Sequence, residues 1–192
     1  MLTAQARVLL YEWIESDSLR KHCEAVAVCM RHFAHRHSAD EDLWGAVGLL
    51  HDMDYERHPN LERSETGHPF VGVAHLRNNG WSEEICRAIL SHADYSGIPR
   101  ASLMEKTLYA VDELSGFVTA VALVRPDKSI HSVEVSSVRK KLKDKAFAAK
   151  VSRADIQRGA DELDMPIEEL IREVIVGLRS EAELLGLVGK TL

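Results

Sequence analysis

Residues 48–59 read GLLHDMDYERHP: an apolar run ends on a His-Asp pair, and two more acids, a tyrosine and another histidine follow closely. Neighbours on a helix point about 100° apart, so His51 and Asp52 cannot both fill one buried face. A pair at a helix end can instead give one ligand each to an ion lying between their two directions. Equally, His51 can be a satisfied core histidine and Asp52 a loop cap. The pair takes its meaning from residues elsewhere in the chain.

Around this stretch apolar residues recur at helical spacing, with no persuasive β-alternation, which makes the protein all-α. Leu19, Cys23, Val26, Met30 and Phe33 predict a helix over 18–37, with Ser16, Asp17 and Ser18 available as caps and His22 on the shoulder of the stripe. Asp40 starts the next helix, which ends at the His-Asp pair. ERHPNLERSETG then reads as a loop, and Pro69 at a first helical position makes His68 an expected N-cap residue of a helix over 69–78. Ser82 opens a helix whose stripe Ile85, Ile89, His92 ends on a histidine. Ser102 and Glu105 form a capping box that begins a long helix to about Val124, with Asp112 in its apolar middle. Further helices are expected over 134–148, 153–163 and 166–186.

The chain has 192 residues, 45% hydrophobic and 28% charged, which suits a single soluble globular domain with a helical extension over about 130–192. No apolar run approaches the roughly 20 residues of a membrane span, and the first residues lack a signal-peptide pattern, so a cytoplasmic protein is expected with no membrane partner. Three cysteines without a CxxC pair read as buried free thiols. A formal net charge of −6 argues against nucleic acid as a partner. Residues 139–153 nevertheless hold seven Lys/Arg and one Asp, either a helix's wet face or a collector of anionic substrate.

Asp112 needs a partner, because a lone buried carboxylate costs several kcal/mol, on the order of a lost ion pair. His22, His51, Asp52 and Asp112 together form a donor set for a borderline divalent ion. The bland alternative pairs Asp112 with a buried Lys or Arg; Lys106 is such a candidate, or else a phosphate ligand. His32, His35, His37, His58, His75 and His131 read as surface residues, and Arg125 and Lys128 as loop charges.

His22, LLHD at 49–52 and Asp112 in AVDEL resemble the H…HD…D signature of the HD superfamily of metal-dependent phosphohydrolases over about residues 15–125. HDMDYE, SHADYSGIP, MEKTLYAVDELSGFVTAVALVRPDK and SVRKKLKDKAFAAKV are similar to a bacterial and archaeal subgroup of predicted HD superfamily hydrolases that has no settled substrate. The resemblance implies an HD-domain helical bundle with His22, His51, Asp52 and Asp112 as metal ligands. His68 and His92 match positions at which two-metal members place extra histidines, Asp52 then bridging one ion and the other. The cofactor would be one or two divalent transition-metal ions (Mn, Fe, Co, Ni or Zn), and the substrate a small phosphate ester such as a nucleotide, cleaved by metal-activated water. HDxxE members use an acid just after the pair. Here Tyr55 holds that position, so Asp52 is joined by Glu56, with Asp54 as the alternative, in the expected catalytic role. A di-iron oxygenase on the same scaffold and a non-catalytic metal or nucleotide sensor remain open, as does a homo-oligomer.

Overall fold

A computed structural model describes residues 1–62 and 64–189. Among the described residues there are helices and no strands: α1 Leu2–Trp13, α2 Asp17–Arg36, α3 Glu41–Leu50, α4 Phe70–Asn78, α5 Glu83–His92, α6 Leu103–Leu123, α7 Val135–Lys143, α8 Arg153–Glu162 and α9 Ile167–Ser180. None is long and apolar enough to cross a membrane.

Local chemistry sets most of the helix starts. The Ser16 hydroxyl accepts from the Leu19 N–H, the Asp40 carboxylate from Asp42 and Leu43, and the Ser82 hydroxyl from Ile85. Ser102 and Glu105 exchange both bonds of a capping box. Each such cap satisfies a backbone donor that the helix cannot, worth about 1 kcal/mol. The cap expected at His68 is absent: Pro69 occupies that position, and the His68 side chain turns inward. Helix α7 stops at Lys143, short of the expected 148, because the Asp144 carboxylate accepts from the N–H groups of Ala146 and Phe147 and diverts the backbone into a turn. Helix α9 likewise ends at Ser180, and a turn through Gly186, whose φ is 68°, replaces its expected last part.

Helix α2 is the centre of the bundle, packed against α3, α6 and α9. Its buried face carries Cys23, Val26, Met30 and Phe33, and all three cysteines are buried thiols. Two crossings are too close for any side chain. A Cβ on Gly48 of α3 would lie 2.5 Å from the Ala27 Cα of α2, and one on Gly159 of α8 would lie 2.6 Å from the Ala110 Cα of α6. The first crossing brings His22 and His51 together, and the second seats α8 on the helix that carries Asp112. Helix α9 lays Leu170, Ile171, Val174 and Leu178 into the same continuous core and is tied to α2 by Glu173, which binds His32 at 2.7 Å and pairs with Arg36.

Candidate metal centre

Six side chains from five parts of the chain meet in this bundle: five of them line an open cleft of about 500 Å³, and His51 is buried behind them. His22 comes from α2, Asp112 from the middle of α6 and His92 from the last turn of α5. His51 and Asp52 follow the last residue of α3, and His68 precedes α4.

They fall into two groups of three. In the first, the His22 Nε2 lies 3.0 Å from Asp112 Oδ1 and 3.3 Å from the His51 Nε2, and His51 lies 3.4 Å from the same carboxylate oxygen. In the second, the His68 Nε2 lies 3.2 Å from Asp52 Oδ1 and 3.3 Å from the His92 Nε2, and His92 lies 3.6 Å from that oxygen. Asp52 stands between them: Oδ1 faces the second group, and Oδ2 lies 3.6 Å from His51 and 3.8 Å from His22. Metal bonds of ~2.1 Å put neighbouring donor atoms ~3.0–3.4 Å apart, so each group has roughly the spacing of a coordination shell.

The tautomers point the same way. The His51 Nδ1 lies 2.8 Å from the Gly48 carbonyl, and the His92 Nδ1 bonds the Ile89 carbonyl at 2.5 Å. A carbonyl can only accept, so Nδ1 carries the hydrogen in both rings and the lone pair of the neutral ring is on Nε2, aimed at the site. His68 reaches the same state through a side chain, its Nδ1 lying 2.7 Å from Asp54 Oδ1. Burial alone would lower the His51 pKa, but Asp52 and Asp112 outweigh it and raise it to about 9. Burial likewise acts to raise Asp52 and Asp112, yet the imidazoles, His51 foremost, hold both carboxyls well below the usual range. Carboxylates that attract positive charge this strongly, beside imidazoles that can give up the Nε2 proton to an ion, fit a borderline divalent cation.

The two acids expected to follow the His-Asp pair into catalysis go elsewhere. Helix α3 ends at Leu50 and the chain continues in tight turns, so the i+4 relation of Glu56 to Asp52 is lost. Glu56 is exposed, and its carboxylate accepts from the backbone N–H groups of Glu15 and Ser16, pinning the α1–α2 turn. Asp54 is 1% exposed and holds His68 and the Gly72 N–H. Tyr55, at the position of the missing acid, lines the cleft and meets the His68 ring edge-on. Cleft residues that sequence patterning did not single out are Tyr95, Tyr109, Glu113 and Asp155. Glu113 directly follows Asp112, and burial, with Asp112 adding to it, raises its pKa to about 7. Tyr109 and Asp155 lie 46 residues apart and join by a 3.1 Å hydrogen bond, which no local pattern could signal.

Three further charged residues named from the sequence, Glu105, Arg125 and Arg153, are engaged away from the cleft. Glu105 bonds Ala101, Ser102 and Arg87, and Asp112 bonds imidazoles, so neither pairs with Lys106. Arg125 bonds the Ser132 hydroxyl. Arg153, counted in the basic strip, donates instead to the carbonyls of Ala148, Val151 and Phe147.

A family model described as HD domain matches residues 19–116, a span that begins just before His22 and ends just after Asp112. The chain belongs to the HD domain family. HD domains are generally metal-dependent phosphohydrolases, and the all-helical fold agrees with that membership. No curated protein and no solved structure matches the chain.

Proposed function

We propose that this HD domain is a phosphohydrolase that uses two divalent ions to cleave a small phosphomonoester, with His22, His51 and Asp112 holding one ion, His68 and His92 the other, and Asp52 bridging them. The observation that carries this reading is the Asp52 carboxylate, one oxygen turned to each group of three. Such an ion pair supplies an acidified water and charge compensation on the phosphoryl oxygens.

The chain's own residues restrict the substrate. Among the described residues no Lys or Arg lines the cleft; beyond the five donors that line it, its polar side chains are tyrosines and the carboxylates Asp94, Glu113 and Asp155. A single phosphate placed over the donors leaves no further negative charge to be matched. The additional phosphates of a di- or triphosphate would find no Lys or Arg among the described lining residues to match their charge. The organic group, a nucleoside among the candidates, would lie against Tyr55, Tyr95 and Tyr109. Of the carboxylates outside the two groups, Asp94 is engaged by Arg100 and Arg158 and Asp155 by Tyr109 and Arg158, whereas Glu113 follows Asp112, has its pKa raised to about 7, and would hand a proton to the leaving oxygen.

The test joins elemental analysis to a panel of phosphomonoesters and nucleoside mono-, di- and triphosphates, run on wild type and Asp52→Ala. The expected result is turnover of monoesters only, falling at least ~100-fold in the variant. Turnover unaffected by Asp52→Ala overturns the mechanism. A second reading, a di-iron oxygenase, is favoured by the convergence of His68 and His92 on Asp52. Iron-loaded protein whose optical spectrum changes with oxygen, without phosphate release, would select it.

A further inference from the structure

Three of the imidazoles have their tautomer set by a neighbour, but not by the same kind of neighbour. His51 and His92 each bond the carbonyl three residues earlier in the chain, Gly48 and Ile89, so their helices set the tautomer. His68 precedes α4 and has no helical turn of its own behind it. Its Nδ1 relies on the Asp54 carboxylate, a side chain fourteen residues away.

Asp54 is held tightly in that task. Its Oδ2 accepts from the Gly72 N–H at 2.6 Å, in the first turn of α4, where backbone donors lack intrahelical partners and the helix end favours an anion. A Cβ on Gly72 would lie 3.0 Å from the Asp54 carboxyl carbon, so glycine allows this close approach. An ionised carboxylate can only accept, which makes the His68 Nδ1 the donor and leaves Nε2, facing Asp52 and His92, as the ring nitrogen that can give its lone pair to an ion.

We propose that Asp54 is a positioning residue that fixes His68 in the Nδ1–H tautomer and thereby controls occupancy of the second metal group without acting on the first. The inference rests on the reading of Asp52, His68 and His92 as ligands. In Asp54→Asn, the amide oxygen can still accept from Gly72, but the amide nitrogen donates to His68. The Nδ1 must then accept, the proton moves to Nε2, and an N–H points at Asp52 Oδ1 where the ion would bind. In Asp54→Ala the tautomer is unconstrained, while the buried Gly72 N–H loses its partner.

The two variants separate positioning from mere structural support. A structural role makes metal binding follow stability, in the order wild type, Asn, Ala. Tautomer control predicts the opposite order for the second ion, wild type, Ala, Asn, although Asn folds better than Ala. The test is a Zn²⁺ titration of the full chain alongside nitrogen-15 NMR of the histidine rings in metal-free protein. In Asp54→Asn the second equivalent should weaken by ~10–100-fold, the first should stay within about threefold, and His68 alone should change tautomer. Retention of Nδ1–H on His68 in Asp54→Asn, or equal weakening of both equivalents, overturns the proposal. A wild type that takes one equivalent while His68 still switches tautomer in Asp54→Asn refutes the two-ion reading and upholds the role of Asp54 in setting His68. Should Asp54→Ala not fold, the Asp54→Asn tautomer and titration decide alone.

Discussion

Gly48→Ala puts the geometry of the first metal group under direct strain. The added methyl would sit 2.5 Å from the Ala27 Cα and 2.8 Å from its N, against carbon contact distances of ~3.5–4.0 Å, so α2 and α3 must separate by about 1 Å. Overpacking of this kind costs about 1–3 kcal/mol, while alanine in place of glycine returns up to about 1 kcal/mol of helix propensity. Because the contact is with backbone, which cannot rotate aside, the cost falls in the upper part of that range, and the net loss is about 1–2 kcal/mol, or a Tm lower by ~2–8 °C for a chain of this size. The same shift moves His51, whose Nδ1 is held by the Gly48 carbonyl, away from His22, where ligand distances tolerate only ~0.2 Å. Thermal unfolding and a Zn²⁺ titration of the same samples measure both effects. Gly116→Ala is the control: the nearest atom to its added methyl would be His22 Nδ1 at 3.7 Å, an ordinary contact, so this variant should gain stability, by up to about 1 kcal/mol. A Gly48→Ala protein that melts at or above wild type refutes the argument, since propensity would then have outweighed the crossing.

Glu56→Gln should keep kcat/KM within about twofold of wild type, because the side chain serves the Glu15–Ser16 turn and leaves the cleft to others; a ~100-fold loss in a phosphomonoester assay would restore Glu56 to the chemistry. Glu173 should make the α2–α9 contact acid-sensitive. Burial acts to raise its pKa, but Arg36 and then His32 hold it below the ordinary glutamate value of 4.5. A carboxyl with a depressed folded pKa adds stability that is complete above the unfolded value and is lost as pH falls through the folded one. Glu173→Gln should therefore cost about 1 kcal/mol near pH 7, with the difference from wild type shrinking below pH 4.5; denaturant melts at the two pH values check it, and a constant difference would count against the pairing.

Much of the bundle and half of the site are legible because they rest on local signals. Ser16, Asp40, Ser82 and the Ser102–Glu105 box announce their helices by bonding to backbone within three residues. His22, His51 and Asp112 stand out as polar groups on or beside apolar stripes. The second half depends on a turn and on contacts far apart in sequence. Glu56, four residues after Asp52, would lie over it only if α3 continued, and α3 stops at Leu50. Proline after His68 suggested a cap, but fixed φ says nothing of where the preceding side chain goes, and the demands of Asp54 and Asp52 draw it inward. Tyr109 and Asp155 reach the cleft because α8 packs on α6 through Gly159, a contact visible only once the chain is folded.

The most direct measurement of the central claim is anomalous diffraction from crystals grown with Mn²⁺. The account predicts two peaks ~3.5–4 Å apart, one among His22, His51 and Asp112, the other between His68 and His92, with an Asp52 oxygen on each. A single peak, or ions bound away from Asp52, would contradict it.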